Sequence, residues 1–170
     1  MNSLLIVLDS KKSLALSFLG ILICLTGFFF LEKRLGTQIL DVLPSYDLAL
    51  VQQSFLIYGE NGRALYAWAS LTLDLLFPIS YVIFGIGLIL FLVEISFLRW
   101  LVILPCLVGT IDLIENIQIC LMLNQFPDIS IAQVEFANST TMLKHLLVKV
   151  LYACIIFLAI FKIGKKVLPK

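Results

Sequence analysis

Three carboxylic acids interrupt otherwise apolar stretches of this chain. Asp74 stands in Leu73-Asp74-Leu75-Leu76-Phe77-Pro78, and Asp112 and Glu115 stand in Thr110-Ile111-Asp112-Leu113-Ile114-Glu115-Asn116. An ionised acid at the centre of a membrane helix costs roughly 2.5 to 3.5 kcal/mol on insertion scales, so each one demands a reason. Residues three or four apart are neighbours on a helix, which places Asp112, Glu115 and Asn116 on one face. Asp74, Phe77, Pro78 and Tyr81 share a face of a second helix. Thr140, Lys144 and Val148, with Thr141 beside them, do so on a third. The chemistry open to such a set is proton transfer. Two adjoining carboxyls in a low dielectric do not readily ionise together, so one is expected to keep a proton and serve as a general acid. Lys144 would hold the other as a carboxylate or meet a lipid headgroup. The expected catalytic set is therefore Asp112, Glu115 and Asp74, and the expected ligand-binding set is Asn116, Lys144, Tyr81, His145 and Thr140.

Other chemistries lack their residues. His145 is the only histidine and follows Lys144 directly, so it points about 100° to the side of that stripe. One histidine with no Cys-x-x-Cys or His-x-x-x-His pattern gives no zinc or di-iron ligand set, and no metal or other cofactor is expected, although a carboxylate-rich cation site stays open. The four cysteines, Cys24, Cys106, Cys120 and Cys154, all fall in apolar stretches without a vicinal pair, and they read as small apolar side chains rather than disulfide-exchange thiols. No Gly-x-Ser-x-Gly motif is present. A net charge of +1 without a basic run gives nucleic acid nothing to bind.

The elements that must position these residues follow from hydropathy. The 170 residues are 61% hydrophobic and 14% charged, against about 25% charged in ordinary soluble domains. A hydrocarbon core of roughly 30 Å needs about 20 apolar residues at about 1.5 Å each, and four stretches supply them, near 13–31, 64–93, 99–123 and 139–161. The expected fold is all-α, a four-helix transmembrane bundle forming one membrane domain over 1–170, with short interfacial helices in the non-cytoplasmic loops. The first stretch is read as a retained span, because Glu32-Lys33-Arg34-Leu35 offers no small-residue cleavage site. Lys11, Lys12, Arg99, Lys162, Lys165, Lys166 and Lys170 outweigh Lys33, Arg34 and Arg63, which puts both termini in the cytoplasm.

Between the first two spans, Pro44-Ser45 is expected to start an interfacial helix capped by Ser45, with an apolar stripe of Leu48, Val51, Phe55 and Leu56 and an end at Gly59. Residues 130–137 could form a second surface helix, with Asn138 or Ser139 capping the fourth span. Around Glu94 to Leu98 the chain is expected to make a tight cytoplasmic hairpin. Counted from the non-cytoplasmic ends at about 1.5 Å per residue, Asp74, Asp112, Glu115 and Lys144 lie about 15, 18, 14 and 9 Å deep, which is one layer. Pro78 lacks an N–H and so frees the carbonyl of Asp74 four residues earlier.

The strings Asp74-x-x-Phe77-Pro78, Pro105 with Asp112-x-x-Glu115-Asn116, and Ser139 or Thr140 followed by Lys144 resemble a family of small bacterial four-helix membrane proteins with no assigned activity. The resemblance covers spans two to four and implies a bacterial inner membrane. Three functions are open to such a chain. It could bind an amphiphilic membrane lipid or isoprenoid between spans two, three and four and act on it by proton transfer. It could be a small proton- or cation-coupled transporter subunit, which with four spans would need to form a homo-oligomer. It could be a structural or assembly subunit whose polar layer pairs with a partner's helix. Lys144 neutralising Asp112 or Glu115, and Asp74 fixing Tyr81, Ser80 or Asn116, would serve that third role.

Overall fold

The computed structural model describes residues 10–93 and 95–167. Glu94 and Lys170, used above for the hairpin and for orientation, lie outside the described residues, as does the side chain of Lys166. Among the described residues there are five α-helices, two short 3-10 segments and no strand. Helix α1 runs Lys11–Leu35; the Ser10 side chain accepts from the Ser13 N–H at 3.1 Å, and Gly36 in the left-handed region (φ 79°) ends it. Helix α2 spans Leu48–Ser70, α3 Leu73–Leu92, α4 Ile103–Gln125 and α5 Ile131–Val167.

Among the described residues, four stretches are long and apolar enough to cross a membrane: Lys11–Leu35, Leu48–Leu92, Phe97–Gln125 and Ile131–Lys165. Helix α3 packs antiparallel between α1 and α4 at small residues. Phe18 and Phe28 of α1 meet Phe84 and Phe77 of α3. A Cβ on Gly20 would reach Ser80 Oγ at 2.6 Å, and one on Gly109 of α4 would reach Val82 Cγ2 at 2.5 Å, so both backbones come close to α3 because no side chain intervenes. Helix α5 runs antiparallel to α4.

Several boundaries differ from those expected. The second apolar stretch is not one helix over 64–93. It breaks at Leu71 and Thr72, so that Asp74 is the second residue of a new helix. The preceding helix is capped by Asp47 rather than Ser45, its carboxylate accepting from the Leu50 N–H at 2.8 Å. Gly59 does interrupt it, with φ 64° and ψ 179°, but a further helical segment follows immediately. Val51 and Phe55 of the expected stripe are buried in the protein, while Leu56 is exposed. The 130–137 segment and the fourth span are one continuous helix of 37 residues. Ser130 caps it, accepting from the Gln133 N–H at 3.2 Å, so Asn138 and Ser139 lie inside the helix. In place of a bare hairpin, a 3-10 segment over Ser96–Val102 leads into α4.

The segment between α1 and α2 turns back into the bundle. Ile39, Leu40, Asp41 and Tyr46 are buried. Irregular backbone inside a packed body needs each polar group answered, and here side chains answer them. The Ile39 N–H donates to Glu32 Oε1 (3.2 Å), the Leu40 N–H to the Tyr66 hydroxyl (3.2 Å) and the Tyr46 N–H to Asn138 Oδ1 (2.8 Å). The Tyr58 hydroxyl donates to the Gln38 carbonyl at 2.6 Å. Two apolar clusters result. One joins the end of α1, this segment, α2, the end of α4 and the start of α5; the other joins Ile89, Val93, Val108, Leu151 and Leu158 toward the opposite end. The polar residues of α3, α4 and α5 lie between them.

Candidate functional site

Lys144 is the centre of that polar layer. Its Nζ lies 3.1 Å from Asp112 Oδ1 and 3.9 Å from Asp41 Oδ1, and it also contacts Glu115 Oε2. Each acid has a second anchor. The Tyr81 hydroxyl donates to Asp112 Oδ2 at 2.8 Å, joining α3 to α4. The Tyr66 hydroxyl donates to Asp41 Oδ2 at 2.7 Å, joining α2 to the inward-turned segment. Thr141 donates to Glu115 Oε1, and the Tyr46 hydroxyl lies 3.0 Å from Thr141 Oγ1. Burial raises the Tyr46 phenol above its ordinary pKa.

Asp74 is held differently. Its carbonyl, freed by Pro78, accepts from the Asn116 side-chain amide at 2.6 Å. The carboxyl group lies within hydrogen-bond reach of that of Asp41, and Asp74 Oδ2 and Asp41 Oδ1, both buried and without another hydrogen-bond partner, can share a proton. The position in the first turn of α3 suits an acid, because helix N-termini carry a partial positive charge.

A cavity of about 380 Å³ opens against this layer. Its floor is Asp41, Asp74, Asp112 and Lys144, and Phe28, Phe77 and Ile39 wall it. Leu25, Phe29 and Val42 form an apolar rim, 49%, 64% and 48% exposed, so the cavity opens sideways between α1 and the inward-turned segment. Glu32 lies on the same rim and is tied to the Ile39 N–H. The volume lies in the range of small-molecule sites, roughly 300 to 1,000 Å³.

The residues singled out from sequence are thus partly gathered. Asp74, Asp112 and Lys144 face the cavity, and Tyr81 and Asn116 brace them from behind. Glu115 contacts Lys144 but is 0% exposed and does not line the cavity, so it backs the site rather than facing a ligand. Thr140 turns away to Gln118, 3.3 Å from its Nε2; the hydroxyl on the ion cluster is that of Thr141. His145 leaves the layer altogether. Its Nε2 lies 3.1 Å from the Leu43 carbonyl, in a separate groove with Val42, Pro44 and Lys149.

Asp41, Tyr66 and Tyr46 were not singled out. Asp41 carries the same mark as Asp74, an acid inside Ile39-Leu40-Asp41-Val42-Leu43, but lies between the first two expected spans, where no helical repeat assigns it a face. No group of three or more His, Cys, Asp or Glu side chains among the described residues is arranged to hold a metal ion. No protein-family model, curated protein or solved structure matches this chain.

Proposed function

We propose that this chain is an integral protein of a bacterial inner membrane, with both termini cytoplasmic, that takes an amphiphilic lipid or isoprenoid into the cavity between α1, α3 and the segment following α1. The observation that carries this reading is the shape and lining of the cavity: an exposed apolar rim of Leu25, Phe29 and Val42 leading to a floor of buried carboxyls and one ammonium. In a bilayer, that rim meets acyl chains, so an amphiphile enters tail and head together without crossing water. Outward-facing side chains such as Leu16, Phe29, Phe157 and Ile160 support a lipid-facing surface on the flanking helices. If the bound molecule is transformed, proton transfer falls to Asp74 and Asp112, the acids on the cavity floor, with Lys144, Tyr81 and Asn116 holding them in place. The cation-transport reading has less support, because the Lys144 ammonium already occupies the point between Asp41, Asp112 and Glu115 that a bound cation would take.

The test is native mass spectrometry of protein released from nanodiscs of bacterial lipid extract, comparing wild type with Val42→Trp, which places a large side chain at the exposed rim of the cavity. A discrete retained species on wild type, lost from the variant, is the expected result. Identical bulk-lipid profiles for the two proteins would sink the proposal.

A further inference from the structure

Given the membrane placement proposed above, we infer that a second groove, which shares only Val42 with the cavity already described, holds the oxyanion head group of an anionic membrane lipid against Lys149 and His145. Val42 and Pro44 of the inward-turned segment face Met142, His145, Leu146 and Lys149 of α5 across about 380 Å³. His145 and Lys149 stand one turn apart, so they share a face of the helix. No acid lines the groove, the reverse of the cavity at Asp74.

Lys149 needs a partner that the chain does not supply. At about 1.5 Å per residue it lies about 15 Å along α5 from Ser139 and about 20 Å from Lys162, which puts its backbone inside the hydrocarbon core. The residue is exposed, and no hydrogen bond or ion pair reaches it among the described residues. A charge facing hydrocarbon is retained where something pairs with it. The acids at similar depth, Asp41, Asp74, Asp112 and Glu115, are all buried, so a second copy has none to offer. Side chains lean toward the N-terminus of their helix, which carries the ammonium toward His145 and the head groups of the nearer leaflet. The His145 Nε2 donates to the Leu43 carbonyl at 3.1 Å, since that oxygen only accepts. The ring is thereby fixed with Nδ1 left for a ligand, as a donor when the ring is protonated. Met142, Leu143, Leu146 and Val150 are exposed around the groove and meet acyl chains. A lipid brings its anion with its tails already in place, whereas a soluble anion would have to cross hydrocarbon to arrive.

The experiment uses the full chain in nanodiscs of equimolar phosphatidylcholine and phosphatidylglycerol of one acyl composition, with the lipids retained on release identified by native mass spectrometry. On wild type, phosphatidylglycerol is expected to outnumber phosphatidylcholine among first adducts by roughly fivefold or more, the effect of about one cationic contact. Lys149→Met is expected to lose that preference, as is Met142→Trp, which adds bulk to the groove and keeps both basic side chains. Lys149→Arg should keep it. So should Lys33→Met, which removes an exposed charge from the end of α1 nearest the same surface and measures non-specific attraction. An unchanged preference in Lys149→Met, or an equal loss in Lys33→Met, would overturn the site. No preference on wild type would also overturn it and leave Lys149 to an acidic helix of another protein. Any species held in the acidic cavity should persist in Lys149→Met and Met142→Trp, so the two sites fail separately.

Discussion

Lys144 and Asn116 are the residues on which the polar layer depends most. Removing one partner of a buried ion pair leaves the other charge uncompensated, at a cost of about 3 to 5 kcal/mol. Lys144 is shared by Asp112, Asp41 and Glu115, and Lys144→Met is expected to lower stability by about that amount in denaturant unfolding in detergent micelles. A loss under about 1 kcal/mol would mean that the three acids do not rely on it. Asn116 matters through Pro78. The proline leaves the Asp74 carbonyl without its helical donor and the Asn116 amide replaces it. Asn116→Ala is expected to cost about 1 to 3 kcal/mol. Adding Pro78→Ala restores an N–H at position 78 and should recover part of that loss. Strictly additive effects in the double-mutant cycle would show that the amide and the proline are uncoupled.

Among the elements, the segment from Gly36 to Asp47 decides the shape of the site. It contributes Asp41 to the ion cluster, Ile39 to the cavity wall and Val42 to the rim, although it contains only a single 3-10 turn over Leu40–Val42. Its hold on the bundle comes from a few side chains of the helices, of which Tyr66 is the most economical, accepting from Leu40 and donating to Asp41 with one hydroxyl. Tyr66→Phe keeps the ring and removes both bonds. Amide exchange across residues 40–43 should then quicken by roughly five- to 150-fold, as expected for about 1 to 3 kcal/mol of lost local stability. Exchange elsewhere in α4 and α5 should change little. Uniform acceleration through all helices would point instead to a global role for the hydroxyl.

At the scale of the whole molecule, the helix ends carry the orientation. The start of α1, the 3-10 segment with Arg99 and the end of α5 with Lys162 and Lys165 gather at one end of the bundle. Lys162 also sits over the Phe91 ring, 4.1 Å from its centroid, fixing α5 to the end of α3. With both termini proposed to be cytoplasmic, a C-terminal green fluorescent protein fusion should fluoresce and a C-terminal alkaline phosphatase fusion should be inactive. The reverse pattern would invert the bundle and place the cavity nearer the cytoplasmic leaflet.

What the sequence determined on its own was local: four stretches apolar for long enough to cross a bilayer, the polar stripe on α4, and the carbonyl that Pro78 releases. Those features depend on hydrophobic length, a helical repeat and one missing N–H, all read within a few turns of chain. Only the tertiary structure decided which stripe residues face the cavity. One position along a helix turns a side chain by about 100°, so Thr141 rather than Thr140 meets Glu115; Asp112 and Glu115 share a face, yet only Asp112 lines the cavity. Asp41 depended on it most of all. An irregular segment has no periodicity to reveal which way it turns, and its burial is set by donors and acceptors as distant in sequence as Tyr66, Asn138 and His145.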